Sequence, residues 1–389
     1  MKMLAGIRVL DLGQFITAPF AAMLLAEMGA DVVKVERPGA GDPFRSFNGG
    51  GYSPHFQAHN RNKRSLALDI TRPEGLAAFK RLVKVSDVVI MNSRPGVAEK
   101  LGIGWEALSA TNPRLVYCAI TGFGPDGPYA DRPAFDHVGQ ALSGWMSRHR
   151  ATDDPRVVGP AITDPATSYY AALGVMGALF ERERSGRGHK VEVNMLEAAM
   201  GLGVEPIAWM LALNKPMPIH QRGANSQAYA LLCRDGKRIG VHLSSVDKFW
   251  ESFCDTVERP GWKAAYPTRM DRVRAYDQLA IELTAIFATR DRADWCARLE
   301  AADVPFAPEN ELADLPNDPQ VKHLGTFYEL QHPKFGTVRS QHRPVRVDGN
   351  RDIDFRVPPD LGEHDKAVLT EAGLSGAEIE ALRASGALG

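Results

Sequence analysis

Along the first 125 residues, short apolar runs alternate with longer segments in which apolar residues return every three or four positions. "IRVLDLG" (7–13) and "DVVKVERP" (31–38) predict buried strands, and "APFAAMLLAEMGA" (18–30) predicts a helix between them, ended by Gly29. The same rhythm continues with a helix at 72–86, a strand at 87–93, a short helix around "GIGWEALSATNP" and a strand at 115–124 that runs into a glycine turn. Strands alternating with helices imply a parallel sheet covered on both faces. A longer helix follows at 166–184, rich in Ala, Leu, Met and Tyr and closed by the turn "SGRG".

After about residue 220 the pattern changes. "AYALLCRDGKRIGVHLSS" (228–245) predicts an antiparallel hairpin with Asp235-Gly236 as its turn. Three helical patterns follow, and short strands with proline turns return from 332. The last helix opens with Ser375 and Glu378 at capping-box spacing. We therefore expect an α/β chain with a large Rossmann-like domain at 1–224, a small α+β domain at 225–320, and completion of the large domain by 321–389.

Composition narrows the function. The chain has 389 residues, a net charge of −1 with both signs mixed, 44% apolar and 24% charged residues, which fits a globular protein and gives no bulk attraction to nucleic acid or membrane lipid. No apolar run reaches the roughly 18 residues of a membrane span, and the N-terminal pattern enters a strand at once, so a cytoplasmic protein is expected. Four scattered cysteines and eleven histidines without ligand spacing predict free thiols and no metal. The first βαβ turn, "LGQFITAPF", has one glycine where a dinucleotide fingerprint needs three, and the glycine run at 49–51 is misplaced to supply them. NAD is excluded as the cofactor.

One residue carries an open question. Asp164 precedes the long helix with Pro165 beside it, the pattern of an N-cap, and a carboxylate at a helix N-terminus can also be a reactive group. Asp136 starts "DHVGQALSG" in the same way.

Six ordered blocks, "GIRVLDLGQFITAPFAAMLLAEMGADVVKVERPGAGDPFR", "NRNKRSLALDI", "LGIGWEALSATNPRLVYCAITGFG", "GPAITDPATSYYAALGVMGAL", "SGRGHKVEVNMLEA" and "PPDLGEHDKAVL", resemble the family III CoA-transferases from residue 5 to the C-terminus. The resemblance implies an interlocked homodimer with no tightly bound cofactor, acting on an acyl-CoA and a small carboxylic acid. It makes Asp164 both cap and nucleophile, forming an acyl anhydride and then an aspartyl-CoA thioester, with succinyl-CoA as a donor. It places Arg37, Leu68, Asn92, Ser93, Arg94 and Lys100 against CoA, Asp136 and Gln14 in support of the nucleophile, and Asn225, Ser226 and Gln227 in a loop over the acyl site. Trp145, Met146 and Tyr169 are expected to shape the acyl pocket.

The chain departs from the family in two places. Ile16 stands where several relatives carry glutamine, and the 222–232 segment lacks the glycine run of oxalate-specific members. The sister 2-methylacyl-CoA racemases need a histidine where Phe135 stands, which counts against that alternative; a non-catalytic CoA-binding homologue is the third reading.

Overall fold

The computed structural model describes residues 2–47, 53–149, 154–157, 159–244, 247–351 and 353–389, so the glycine run at 49–51 lies outside the described residues. The chain divides into two compact units, one made of Met1–Val204 with Gly325–Gly389 and the other of Glu205–Leu324. The sequence reading puts these boundaries at 224/225 and 320/321.

In the first unit six strands form one parallel sheet: β1 (Arg8–Asp11), β2 (Asp31–Glu36), β3 (Lys63–Ala67), β4 (Val88–Met91), β5 (Val116–Thr121) and β6 (Lys190–Asn194). Their order is β3-β2-β1-β4-β5-β6. Because strand side chains alternate, β1, β2, β4 and β5 each serve two cores. Leu10, Val33 and Val89 join one cluster with Phe79 and Leu82, while Val9, Val32 and Val88 join another with Ala21, Ala22 and Val175. Each fully buried Leu, Val or Phe contributes about 1.5–3 kcal/mol. β6 escapes the hydropathy pattern because its sequence, KVEVN, carries charge on an exposed edge.

Six helices of this unit matter for the site: α1 (Thr17–Glu27), α2 (Pro73–Lys84), α3 (Trp105–Thr111), α4 (Asp136–Leu142), α5 (Thr163–Ser185) and α6 (Met195–Leu202). The first cluster takes Ala78 to Val83 from α2, and the second takes one face each of α1 and α5. The described residues contain no single helix long and apolar enough to cross a membrane.

The second unit contains the short helix α7 (Gln221–Ser226), a three-stranded antiparallel sheet of β7 (Ala228–Leu232), β8 (Arg238–His242) and β9 (Phe306–Pro308), and the helices α8 (Asp247–Thr256), α9 (Tyr276–Phe287) and α10 (Arg292–Ala301). Its core is Leu231, Ile239, Trp250, Phe253, Phe287 and Trp295 with their neighbours. The β7–β8 turn uses Gly236 at φ 75°, the left-handed conformation expected of that glycine.

The chain then returns to the first unit through the antiparallel hairpin β10 (Phe327–His332) and β11 (Gly336–Gln341). It ends in α11 (Asp365–Glu371) and α12 (Gly376–Ala384). The capping box at Ser375 and Glu378 forms as expected. All four cysteines are free, and burial pushes the Cys118 and Cys254 thiols up to about 12.

Candidate active site

Strand order reverses between β1 and β4, so the loops after these strands diverge and leave a crevice at the carboxyl end of the sheet. The β1 loop is the "LGQFIT" turn. A side chain at Gly13 would put a Cβ 2.4 Å from Ala18 Cβ and 2.8 Å from Pro19 Cδ, so the one glycine of this turn serves close packing on α1. Phe15 takes φ 62°, a left-handed conformation that costs on the order of 1 kcal/mol for a bulky residue and persists only when its surroundings impose it.

Those surroundings are an Asn and a buried charge cluster. Asn92, after β4, accepts a bond from the Gln14 N–H (3.0 Å) and donates to Gln14 O (2.8 Å) and Thr17 Oγ1 (2.9 Å). Beneath the loop lie Lys34, Lys63 and Arg45 with Asp11, Asp42 and Glu36, three cations against three carboxylates. Lys63 Nζ donates to Asp11 Oδ2 (2.7 Å), Asn60 Oδ1 (2.7 Å) and Pro19 O (2.8 Å). Lys34 Nζ donates to Gly13 O (2.8 Å) and lies 3.0 Å from Asp42 Oδ2. Asp42 Oδ1 accepts from the N–H groups of Phe44 (2.9 Å) and Phe15 (3.3 Å). Burial pushes the Asp11 carboxyl up, but Lys34 and Lys63 together outweigh it and hold it below its usual range. Burial draws the Lys63 ammonium down to about 8 despite Asp11.

The nucleophile candidate stands differently. The long helix begins at Thr163, three residues before the expected start, and its N-cap, Ile162, has no side-chain cap bond. Asp164 is thus inside the first turn and not its cap. Asp136 performs that task from another helix: its Oδ1 accepts from the N–H groups of Ile162 and Asp164, both at 2.9 Å. Nor does Asp136 cap its own helix, since Phe135 is the N-cap of α4 and Asp136 its first residue. The other oxygen of Asp136 accepts from Gln140 Nε2 one turn on. Three donors thus engage the two oxygens of Asp136.

Among the described residues no group donates to the Asp164 carboxylate. Burial pushes Asp164 up to about 7, and the neighbouring Asp136 charge adds to the rise. Ser168 Oγ reaches both Asp164 O (2.9 Å) and Thr17 O (2.8 Å), linking the first turns of α5 and α1.

Asp164 opens into a cavity of about 210 Å³. The β1 loop (Gln14 to Thr17), the β4 loop (Asn92 to Pro95), the segment after β5 (Ala130 to Phe135) and Met195 line it. A second cavity of about 390 Å³ lies along the ends of β4, β5 and β6 and shares Ser93, Arg94, Pro95 and Thr121 with the first.

Five of the expected residues, Asp164, Gln14, Asn92, Ser93 and Arg94, thus meet at one cavity together with Phe135, with Asp136 buried behind Asp164. Gln14 is exposed, whereas the Asn92 amide is fully engaged in shaping the β1 loop. Arg37 and Lys100 are exposed and line neither cavity, and Leu68 is buried in the core, bridged to Leu388. Trp145, Met146 and Tyr169 also lie outside both linings.

The expected acyl-site loop is helix α7 with its cap. Gln221 Nε2 donates to Asn225 Oδ1 (2.9 Å), Arg222 bonds Ser226, and Gln227 at φ 48° donates to Ala224 O (2.8 Å). Sequence reasoning missed Gln140, the Lys34–Lys63 cluster and Arg132. The lysines sit in strand patterns where only tertiary pairing explains a buried charge, but Gln140 lies at i+4 from Asp136, a spacing the sequence displays.

A profile of CoA-transferase family III matches residues 4–365. The chain is 33% identical over 379 residues to the succinyl-CoA:glutarate CoA-transferase of Mus musculus, covering 95% of this chain and 86% of the relative. It is 30% identical over 416 residues to the formyl-CoA:oxalate CoA-transferase of Rhodopseudomonas palustris, covering 100% and 97%. A solved CAIB/BAIF family protein from Brucella suis is similar in fold, with a TM-score of 0.81 and 30% identity over 95% of this chain and 99% of that one. The chain belongs to CoA-transferase family III.

Proposed function

We propose that this family III CoA-transferase moves CoA from an acyl-CoA, with succinyl-CoA as donor, to a carboxylic acid through covalent intermediates on Asp164. The observation that carries this reading is the Asp164 carboxylate itself, which opens into the crevice cavity with no hydrogen-bond donor among the described residues and with a carboxylate as a charged neighbour. A carboxylate without bonding partners keeps its electron pair available, and partial desolvation raises its nucleophilicity.

In the first step an Asp164 oxygen attacks the thioester carbonyl carbon, the C–S bond breaks, and CoA leaves as thiolate. The thiolate then attacks the aspartyl carbonyl of the mixed anhydride, freeing the donor acid and leaving an aspartyl-CoA thioester. The acceptor carboxylate displaces CoA from that thioester to form a second anhydride. Attack by the thiolate on the acceptor's acyl carbon regenerates Asp164 and releases the new acyl-CoA. One thioester is consumed and one is made, so no outside energy source is required. Ile16, the N-cap of α1, lines the cavity, and its N–H is the backbone donor we assign to the developing oxyanion. Arg94 and Ser93, on the rim shared by both cavities, are suited to the pantetheine and phosphate portions of CoA, with Arg37 and Lys100 as outer phosphate contacts.

We further propose that two copies interlock. Leu173 (61% exposed) and Phe180 (66%) lie on one outer face of α5, an apolar surface suited to a second copy.

Intact-protein mass spectrometry after incubation with an acyl-CoA panel tests the mechanism. Hydroxylamine-sensitive acyl or CoA adducts are expected on the wild type and absent from Asp164→Ala. Adducts of equal yield on both proteins would refute the role of Asp164.

A further inference from the structure

The Asp164 cavity has two chemically distinct parts. Phe15, Ile16, Phe135 and Met195 give it an apolar wall, and two cations, Arg94 and Arg132, complete it. Asp136 is the charged neighbour that raises the Asp164 carboxyl.

Arg94 belongs to both cavities, but Arg132 lines that of Asp164 alone. Its position is built by the segment after β5. A Cβ on Gly122 would fall 2.3 Å from Ala134 Cβ, so this glycine lets the two ends of the segment pack together. Tyr129 O accepts from the Arg132 N–H (3.0 Å), and the guanidinium lies over the Tyr129 ring, 3.9 Å from its centroid. The ring supports one face of the guanidinium and leaves its N–H edges available. Among the described residues no carboxylate pairs with Arg132 and no carbonyl accepts from its side chain. A planar fork held in this way matches a carboxylate, which it binds through two parallel bonds.

We propose that Arg132 selects the acyl group by pairing with a second carboxylate at its far end, making short dicarboxylic acyl groups the preferred substrates. This rests on the reading of the Asp164 cavity as the acyl site. With the thioester carbonyl at Asp164 and the distal carboxylate at Arg132, the methylenes between them lie along Phe15, Ile16 and Phe135. A monocarboxylic acyl group of equal length fills the same wall and leaves the cation unpaired. A phosphate of CoA would satisfy the same guanidinium, and the two sources differ in what they predict. Pairing with the acyl group makes Arg132 matter only for acyl groups with a terminal charge, whereas pairing with phosphate makes it matter for every CoA thioester.

The test compares succinyl-CoA, succinamyl-CoA and butyryl-CoA on the wild type and on Arg132→Met, whose unbranched side chain can still lie on Tyr129. Charged hydrogen bonds of this type are worth a factor of roughly 10 to 100, so kcat/KM for succinyl-CoA is expected to fall by that factor in the variant while butyryl-CoA changes less than about threefold. Arg132→Lys is expected to recover part of the loss, since it keeps the charge without the fork. Equal losses for all three thioesters would assign Arg132 to CoA phosphate and overturn the proposal, as would no loss at all. If the variant does not fold, the wild type decides, because similar kcat/KM for succinyl-CoA and succinamyl-CoA refutes charge recognition. Failure of the underlying reading is distinguishable, since no thioester would then label Asp164 of the wild type.

Discussion

Two sets of carboxylates lie at the carboxyl end of the same sheet and are treated in opposite ways. Asp11, Asp42 and Glu36 are buried among Lys34, Lys63 and Arg45, and every charge has an opposite partner. Asp164 is partly buried, has no donor among the described residues, and faces the anionic Asp136. The first set spends its charge on holding the strained β1 loop in one shape. The second leaves a carboxylate without partners, which suits the nucleophile proposed for it. Burial acts on both, and the sign of the neighbouring charge decides whether a carboxyl is held below or above its usual range.

The contrast is broken most severely at Asp164. Asp164→Ala is expected to lower the rate of CoA transfer by a factor of at least about 1,000, the usual scale for loss of a covalent nucleophile, with the folded state retained. Turnover with circular dichroism as the folding control checks this. In the supporting set, Asp11→Ala leaves Lys34 and Lys63 facing each other without their shared carboxylate. The expected loss of stability is about 3–5 kcal/mol, the cost of unpairing a buried charge, read from denaturant unfolding at neutral pH.

A subtler variant tests the sign of the Asp164 environment. Its carboxyl is raised to about 7 in the folded protein, against an ordinary value of 3.8. The folded state then holds the Asp164 proton more tightly than the unfolded chain. That stabilising contribution is complete below pH 4 and is lost as pH rises through 7. Asp164→Asn, which cannot ionise, should therefore be more stable than the wild type by on the order of 4 kcal/mol at pH 8 and nearly equal to it at pH 4. A difference that does not vary with pH would contradict the environment described here.

The smallest effect is expected at Asp136. In Asp136→Asn the amide oxygen can still accept from the α5 N–H groups while the Gln140 amide turns to accept from the new N–H. The cap is kept and the charge is lost. The midpoint of Asp164 labelling by acyl-CoA should move down from near 7 by roughly one unit, or about 1.4 kcal/mol. Labelling at pH 6 then becomes faster, and labelling at pH 8 scarcely changes.

Much of this protein is legible in its sequence because it depends on local pattern. The alternation of strands and helices through the first 125 residues, the Gly236 turn and the Ser375–Glu378 capping box follow from hydrophobic periodicity and backbone preference, which act over a few residues. The six blocks carried the family, and Asp164, Asn92 and Ser93 do stand at one cavity. What the sequence by itself could not determine is which carboxylate does what. At Asp164 the local pattern of an N-cap was misleading, because the capping oxygen comes from Asp136 on another helix, 28 residues earlier in the chain. The pairing of Lys34 and Lys63 with Asp11 joins three different strands, and the place of Arg132 depends on a glycine that lets Ala134 approach. Charge, burial and reactivity are set by neighbours distant in sequence, so only the tertiary structure decides them.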